Sequence, residues 1–99
     1  MEEIYSETPE TVCSVNAEKS VMLIEFTMLE VEKADINLMV GETGCYLSAP
    51  SGSTLYVATL SFPCPADPAG AKASYGDGYL RVEIPLREEI GNFLKIPVM

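Results

Sequence analysis

The chain has 99 residues, no histidine and no tryptophan, and its 15 acidic against 6 basic side chains give a net charge of −9. A chain of this length forms one domain that buries only about 60 to 65% of its unfolded surface, which leaves no room for a second, cofactor-bearing unit. The acidity argues against nucleic acid and anionic membrane as partners, since both need a cationic footprint, while an apolar content of 47% is enough for a packed core.

Residues 1 to 19 hold five glutamates against the single base Lys19, with Pro9 among them, and read as a short acidic arm with little core of its own. The start Met1-Glu2-Glu3-Ile4 is acidic where a signal peptide is basic. The longest apolar run, Val21 to Ile24 with Phe26 and Met28 beyond Glu25, falls short of the ~20 residues of a membrane span. Cytosol is therefore the expected compartment. From Ser20 the pattern alternates, with Met22, Ile24, Phe26 and Met28 on one face and Val21, Leu23, Glu25 and Thr27 on the other. Because both faces begin apolar, the spacing predicts a strand covered on two sides at its start.

Residues 30 to 34 are polar enough to be a connection, after which Ile36, Leu38 and Val40 alternate with Asn37 and Met39 as a strand. Gly41-Glu42-Thr43-Gly44 offers two glycines for positive φ, so Cys45, Leu47 and Ala49, alternating with Tyr46 and Ser48, are the partner strand of a hairpin. Pro50-Ser51-Gly52-Ser53 is a second turn. Thr54 to Phe62 then forms a strand with Tyr56, Ala58, Leu60 and Phe62 on one face and Leu55, Val57 and Thr59 on the other.

Pro63, Pro65 and Pro68 end that strand, because each removes a ladder donor and fixes φ. Ala71 to Tyr75 is short and extended, Gly76-Asp77-Gly78 is a tight turn, and Tyr79 to Leu86 follows with Leu80, Val82 and Ile84 inward and Arg81 and Glu83 outward. About six strands, no helix and turns roughly every 8 to 12 residues predict an all-β fold, an antiparallel immunoglobulin-like β-sandwich. Residues 87 to 95 read as a tail, and the sequence then runs Ile96-Pro97-Val98-Met99, two branched apolar residues flanking a proline.

Catalytic chemistry finds little support. Without histidine the ordinary Ser/His/Asp and Cys/His pairs and the commonest general base and metal ligand are missing. Gly76 and Gly78 lack the lysine and helix start of a phosphate loop, and Glu2-Glu3 and Glu88-Glu89 are solvated charge runs rather than calcium or catalytic carboxylates. No cofactor, no metal and no enzymatic activity are expected, and function must come from surfaces. Cys13, Cys45 and Cys64 form no CxxC pair, and being odd in number they read as reduced structural thiols. The alternative, a redox-sensing Cys13, has no base or cation near it in sequence to support a thiolate.

Three segments resemble the alpha-crystallin domain of small heat-shock proteins. Phe26 to Ile36 is similar to the family's strand, its leucine-proline-glycine-valine turn and its acid-isoleucine strand start, with Leu29 and Glu30 in place of proline and glycine. Tyr56 to Pro63 resembles the family's alternating aromatic strand ending in an apolar-proline pair. Ala73-Ser74-Tyr75-Gly76-Asp77-Gly78-Tyr79-Leu80 resembles the signature of alanine, three residues, a turn residue, glycine, then apolar and leucine. In physical terms Ala73 is small where the sheets approach closely, Asp77-Gly78 makes the hairpin, and Leu80 enters the core. Ile96-Pro97-Val98 is similar to the family's C-terminal isoleucine-x-isoleucine/valine motif.

The resemblance spans roughly Val21 to Leu86 and implies an alpha-crystallin-type sandwich over 20–86, between short flexible N- and C-terminal tails, an arm at 1–19 and an extension carrying the motif at 87–99. It implies an ATP-independent holdase that binds non-native client proteins and self-associates as at least a dimer. By the family's geometry the tail motif, or a client segment, docks in a groove between Ile36 to Val40 and Ala71 to Tyr75. There Ile36, Leu38 and Val40 are apolar walls and Ala71 and Ala73 leave space, although ordinary core packing accounts for those five residues equally well. Ile96 and Val98, two apart, project to one side of an extended segment, as an augmenting strand requires.

The chain also departs from the family. Four residues separate Ala49 from Thr54, where bacterial, plant and archaeal members carry a long loop whose strand swaps into the neighbouring subunit, and Ala58 stands at the family's interface arginine. These departures point toward an alternative, a co-chaperone-like or regulatory interaction module without general holdase activity.

Overall fold

The computed structural model describes residues 4–87 and 96–99. Eight strands follow in chain order: β1 (Tyr5–Glu7), β2 (Glu10–Asn16), β3 (Val21–Thr27), β4 (Asn37–Val40), β5 (Gly44–Ser51), β6 (Thr54–Ser61), β7 (Lys72–Gly76) and β8 (Tyr79–Pro85). They make two four-stranded sheets, one ordered β1-β6-β5-β4 and the other β2-β3-β8-β7. All pairings are antiparallel except β1 with β6. The all-β sandwich expected from the alternating pattern is thus the observed architecture. No helix among the described residues is long and apolar enough to cross a membrane.

The core lies between the sheets and follows the alternation closely. Met22, Ile24, Phe26 and Met28, with Leu80, Val82 and Ile84 beside them on the same sheet, face Leu47 and Ala49 of the other, all buried. Full burial of a side chain of this size contributes about 1.5 to 3 kcal/mol, so the largest of them, Phe26, Met22, Ile24, Met28 and Leu47, dominate the stability. Tyr56, Ala58 and Leu60 sit opposite Ala49, Leu47 and Cys45 on the same inward face, as their spacing predicts. Beyond β6 the proline-rich stretch folds back across the end of the sandwich. Ala66 is buried, bridges Leu86, and donates its N–H to the Glu42 carbonyl at 2.9 Å.

Four expectations need correction. The acidic segment is not a free arm, because β1 joins one sheet and β2 the other, the latter paired with β3 from Glu10 to Asn16. Their side chains are nearly all exposed, so hydrogen bonding to a formed neighbour, not burial, holds them, and apolar periodicity gives no sign of that. The start of β3 is covered on one side only, with Leu23 47% exposed on the outer face. Gly41 and Gly44 do not take positive φ. Gly44 is required for close approach instead, since a Cβ there would lie 2.5 Å from the Leu60 carbonyl oxygen. Finally, Ala73 is exposed, so its small size does not serve a close contact between the sheets.

Two other turns match their sequences. Asp77 (φ 53°) and Gly78 (φ 85°) both take the left-handed conformation of a two-residue type I′ hairpin. Gly52 (φ 60°) opens the β5 to β6 turn, at the position where a type II′ turn takes glycine.

Candidate docking edges

Among the described residues the sandwich has one laced side and one open side. β1 and β2 are joined through Thr8 and Pro9 alone, so the chain crosses from one sheet to the other there, and Pro9 is buried in the crossing. The opposite side is formed by the remaining two edge strands, β4 and β7. These are the strands between which the family resemblance implies a docking groove.

Each candidate residue can now be placed. Leu38 and Val40 pair with Leu47 and Cys45, both buried, and so point to the core face of β4. They are only half-buried themselves, as is Ile36 just before the strand. A 3-10 turn at Lys33–Asp35, closed by an Ile36 N–H to Lys33 carbonyl bond of 3.3 Å, delivers Ile36 into extended conformation. Across the opening, Ala73 pairs with the buried Val82 and therefore also lies on the core face, yet it is exposed. An inward-facing residue is exposed only where the opposing sheet stops short. Ala71, half-buried, packs against the core just before β7.

The segment from Ala73 to Leu80 is held by hydrogen bonds to main-chain carbonyls and amides. Tyr75 donates its O–H to the Met28 carbonyl at 2.5 Å, and the Met28 N–H donates to the Gly78 carbonyl at 2.8 Å. Leu80, 3% exposed, is in the core, and a Cβ at Gly78 would lie 2.6 Å from Leu29 Cδ2, so the β7 to β8 turn packs on the segment after β3. That segment passes through Glu30 at φ 59°. The Ser51 hydroxyl, 3.1 Å from the Leu29 and Glu30 carbonyls, ties it to the end of β5.

The tail residues Ile96, Pro97 and Val98 are exposed, Ile96 at 67% and Val98 at 97%, so this single chain does not bury its own motif. Residues 88–95, part of the expected extension, lie outside the described residues.

A second feature was not read from the sequence. The outer face of the β2-β3-β8-β7 sheet carries a concavity of about 430 Å3 that includes Val12, Ser14 and Leu23, with the Glu25–Arg81 ion pair (3.0 Å) on its wall. Arg81 also lies 5.7 Å from the centre of the Tyr79 ring. Its available signal was Val12 and Leu23, apolar residues on faces where strand alternation asks for polar ones.

The cysteines are free, Cys13 exposed, Cys64 half-buried and Cys45 buried. Loss of water around Cys13 pushes its thiol up from the ordinary 9.0, with Cys64 adding to the shift, and burial pushes Cys45 up likewise, with Cys13 adding. Raised thiols stay protonated near neutral pH, the reverse of a poised thiolate.

No protein-family model matches the sequence, and neither does any curated protein. Solved structures do match. Heat shock protein 16.0 from Schizosaccharomyces pombe superposes with a TM-score of 0.75 at 15% identity, over 95% of this chain and 77% of that one. HSP18.5 from E. histolytica gives 0.70 at 17% identity over 93% and 99%. A small heat-shock protein from Xylella fastidiosa gives 0.68 at 17% identity over 92% and 95%.

The fold is that of the small heat-shock proteins. Within this alpha-crystallin-type sandwich, Glu30 takes the left-handed conformation at the place where the resembled turn has glycine. The short β5 to β6 connection, only Gly52 and Ser53, leaves no strand to exchange between subunits. Ala58, at the position where the resembled family has arginine, is buried beside Leu47.

Proposed function

We propose that this protein is an ATP-independent holdase of the small heat-shock type, which captures partly unfolded chains at its open side and self-associates through Ile96-Pro97-Val98. The observation that carries the reading is the unclosed side between β4 and β7. There Leu38 and Val40, only half-buried, and Ala73, exposed, turn toward the core, while Ile96 and Val98 stand exposed. An extended segment laid against such an edge gains main-chain hydrogen bonds and places alternate side chains in the opening. Burying two branched side chains contributes roughly 3 to 6 kcal/mol before ordering costs. One contact is therefore weak and reversible, and stable assemblies rely on several at once.

The test is light scattering from a heat-destabilised client at stoichiometric ratio, comparing wild type with Ile96→Ala/Val98→Ala. Suppression by wild type, with a smaller assembly size in the double variant, supports the reading. Aggregation undiminished by wild type overturns it.

A second reading, a co-chaperone-like or regulatory module that binds one folded partner, is favoured by the two-residue β5 to β6 turn and the buried Ala58. Under it the protein neither suppresses aggregation nor enters large assemblies, and size-exclusion chromatography with light scattering separates the two. Cytosolic residence and the absence of nucleic acid, membrane and cofactor partners belong to both readings.

A further inference from the structure

β2 is composed like an interior strand yet lies at an edge. Among the described residues its strand ladder pairs only with β3, along all seven of its residues and without a bulge. The N–H and C=O groups of its other side are thus a ready template for a further strand. Native edges are ordinarily protected by lysine, proline, a bulge or a covering segment. Glu10–Asn16 has no lysine or proline, and its single charged residue, Glu10, is at the first position. Both faces carry exposed apolar or weakly polar groups: Val12 (61%) on the outer face, Cys13 and Val15 (39%) on the inner.

We infer that β2 pairs with β2 of a second copy, antiparallel about a two-fold axis at Cys13, which joins two four-stranded sheets into one of eight. A closed dimer uses the same patch on both subunits, and β2 is suited to face itself. Centring the pair on Cys13 is the register that pairs all seven residues. Glu10 then opposes Asn16, Thr11 opposes Val15 and Val12 opposes Ser14, so no like charges meet although each chain carries −9. The outer face is complementary in shape as well. Ser14 is small and sits beside Leu23 in the concavity, so the Val12 side chain crossing the two-fold reaches over serine toward an exposed leucine. Lys19, in the turn after Asn16, is brought to the acidic end of the opposing strand.

Short-span thiol crosslinking with bismaleimidoethane at mildly alkaline pH, alongside sedimentation equilibrium, tests this on the full chain. Wild type should give a covalent dimer that Cys13→Ser abolishes and Ile96→Ala/Val98→Ala leaves in place, which separates it from assembly through the tail. Val12→Lys/Ser14→Lys sets lysines against lysines across the axis and should weaken the dimer at least about tenfold, even though it brings the net charge closer to zero. Should that pair prevent folding by circular dichroism, Cys13→Arg, at an exposed position, sets arginine against arginine on the axis and carries the same expectation in sedimentation equilibrium. Added salt should tighten the wild-type dimer by screening two acidic chains. Crosslinks that survive Cys13→Ser, crosslinks lost with the tail motif, a dimer indifferent to the charged variants or to salt, or a monomer at every concentration each overturn the inference.

Discussion

Glu30 has φ 59°, in the left-handed region that costs a residue bearing a Cβ about 1 to 2 kcal/mol. Replacing it by glycine removes that cost, while the greater freedom of glycine in the unfolded chain returns about 0.5 to 1 kcal/mol. The net expectation for Glu30→Gly is stabilisation centred on about 0.75 kcal/mol within a span of about 0 to 1.5, a rise in Tm of about 3 to 6 °C at the centre for a domain of this size. Nothing else at the turn is lost, since the Glu30 side chain is exposed and the Ser51 hydroxyl bonds to main-chain carbonyls. Glu30→Ala is the control, because it removes the same charge from an acidic chain but keeps the Cβ. Thermal and urea unfolding of wild type and both variants, followed by circular dichroism, provides the measurement. An equal gain in Glu30→Ala would trace the effect to charge, and a Tm for Glu30→Gly at or below wild type would refute the backbone argument.

Tyr75→Phe should destabilise by about 1 to 3 kcal/mol, because it strips the hydroxyl from the main-chain carbonyl of the fully buried Met28; an unchanged urea midpoint would contradict this. Stability should also fall in alkali. Cys13 and Cys45 have folded-state values raised above the ordinary 9.0, so the folded state favours the protonated thiol. Their contribution is complete below pH 9.0 and is lost as pH rises through the folded values. Urea midpoints measured across that range should decline in wild type and flatten in Cys13→Ser/Cys45→Ala, and an identical decline in both would assign it elsewhere.

The apolar face of β4 was legible before the structure. Ile36, Leu38 and Val40 announce an apolar strand face, but alternation alone cannot say whether such a face is covered, and these residues proved half-buried at an edge. Ala73 shows the same limit from the other side. Its register with Val82 points it inward, and only the extent of the opposing sheet leaves it exposed. The β2 edge was the hardest to foresee, because Glu10–Asn16 buries almost nothing and is held by the ladder to β3.

By itself the sequence determined the local and periodic features: the inward rows Met22-Ile24-Phe26-Met28 and Leu80-Val82-Ile84, the Asp77-Gly78 turn, and the absence of histidine chemistry. These depend on side-chain period and φ preference, which are properties of a few neighbouring residues. The tertiary structure alone decided which strands stand at edges, that the acidic N-terminal segment laces the two sheets together, and that among the described residues the side between β4 and β7 is open. Those are matters of how far one sheet extends over the other, and exposure at an edge depends on residues distant in sequence.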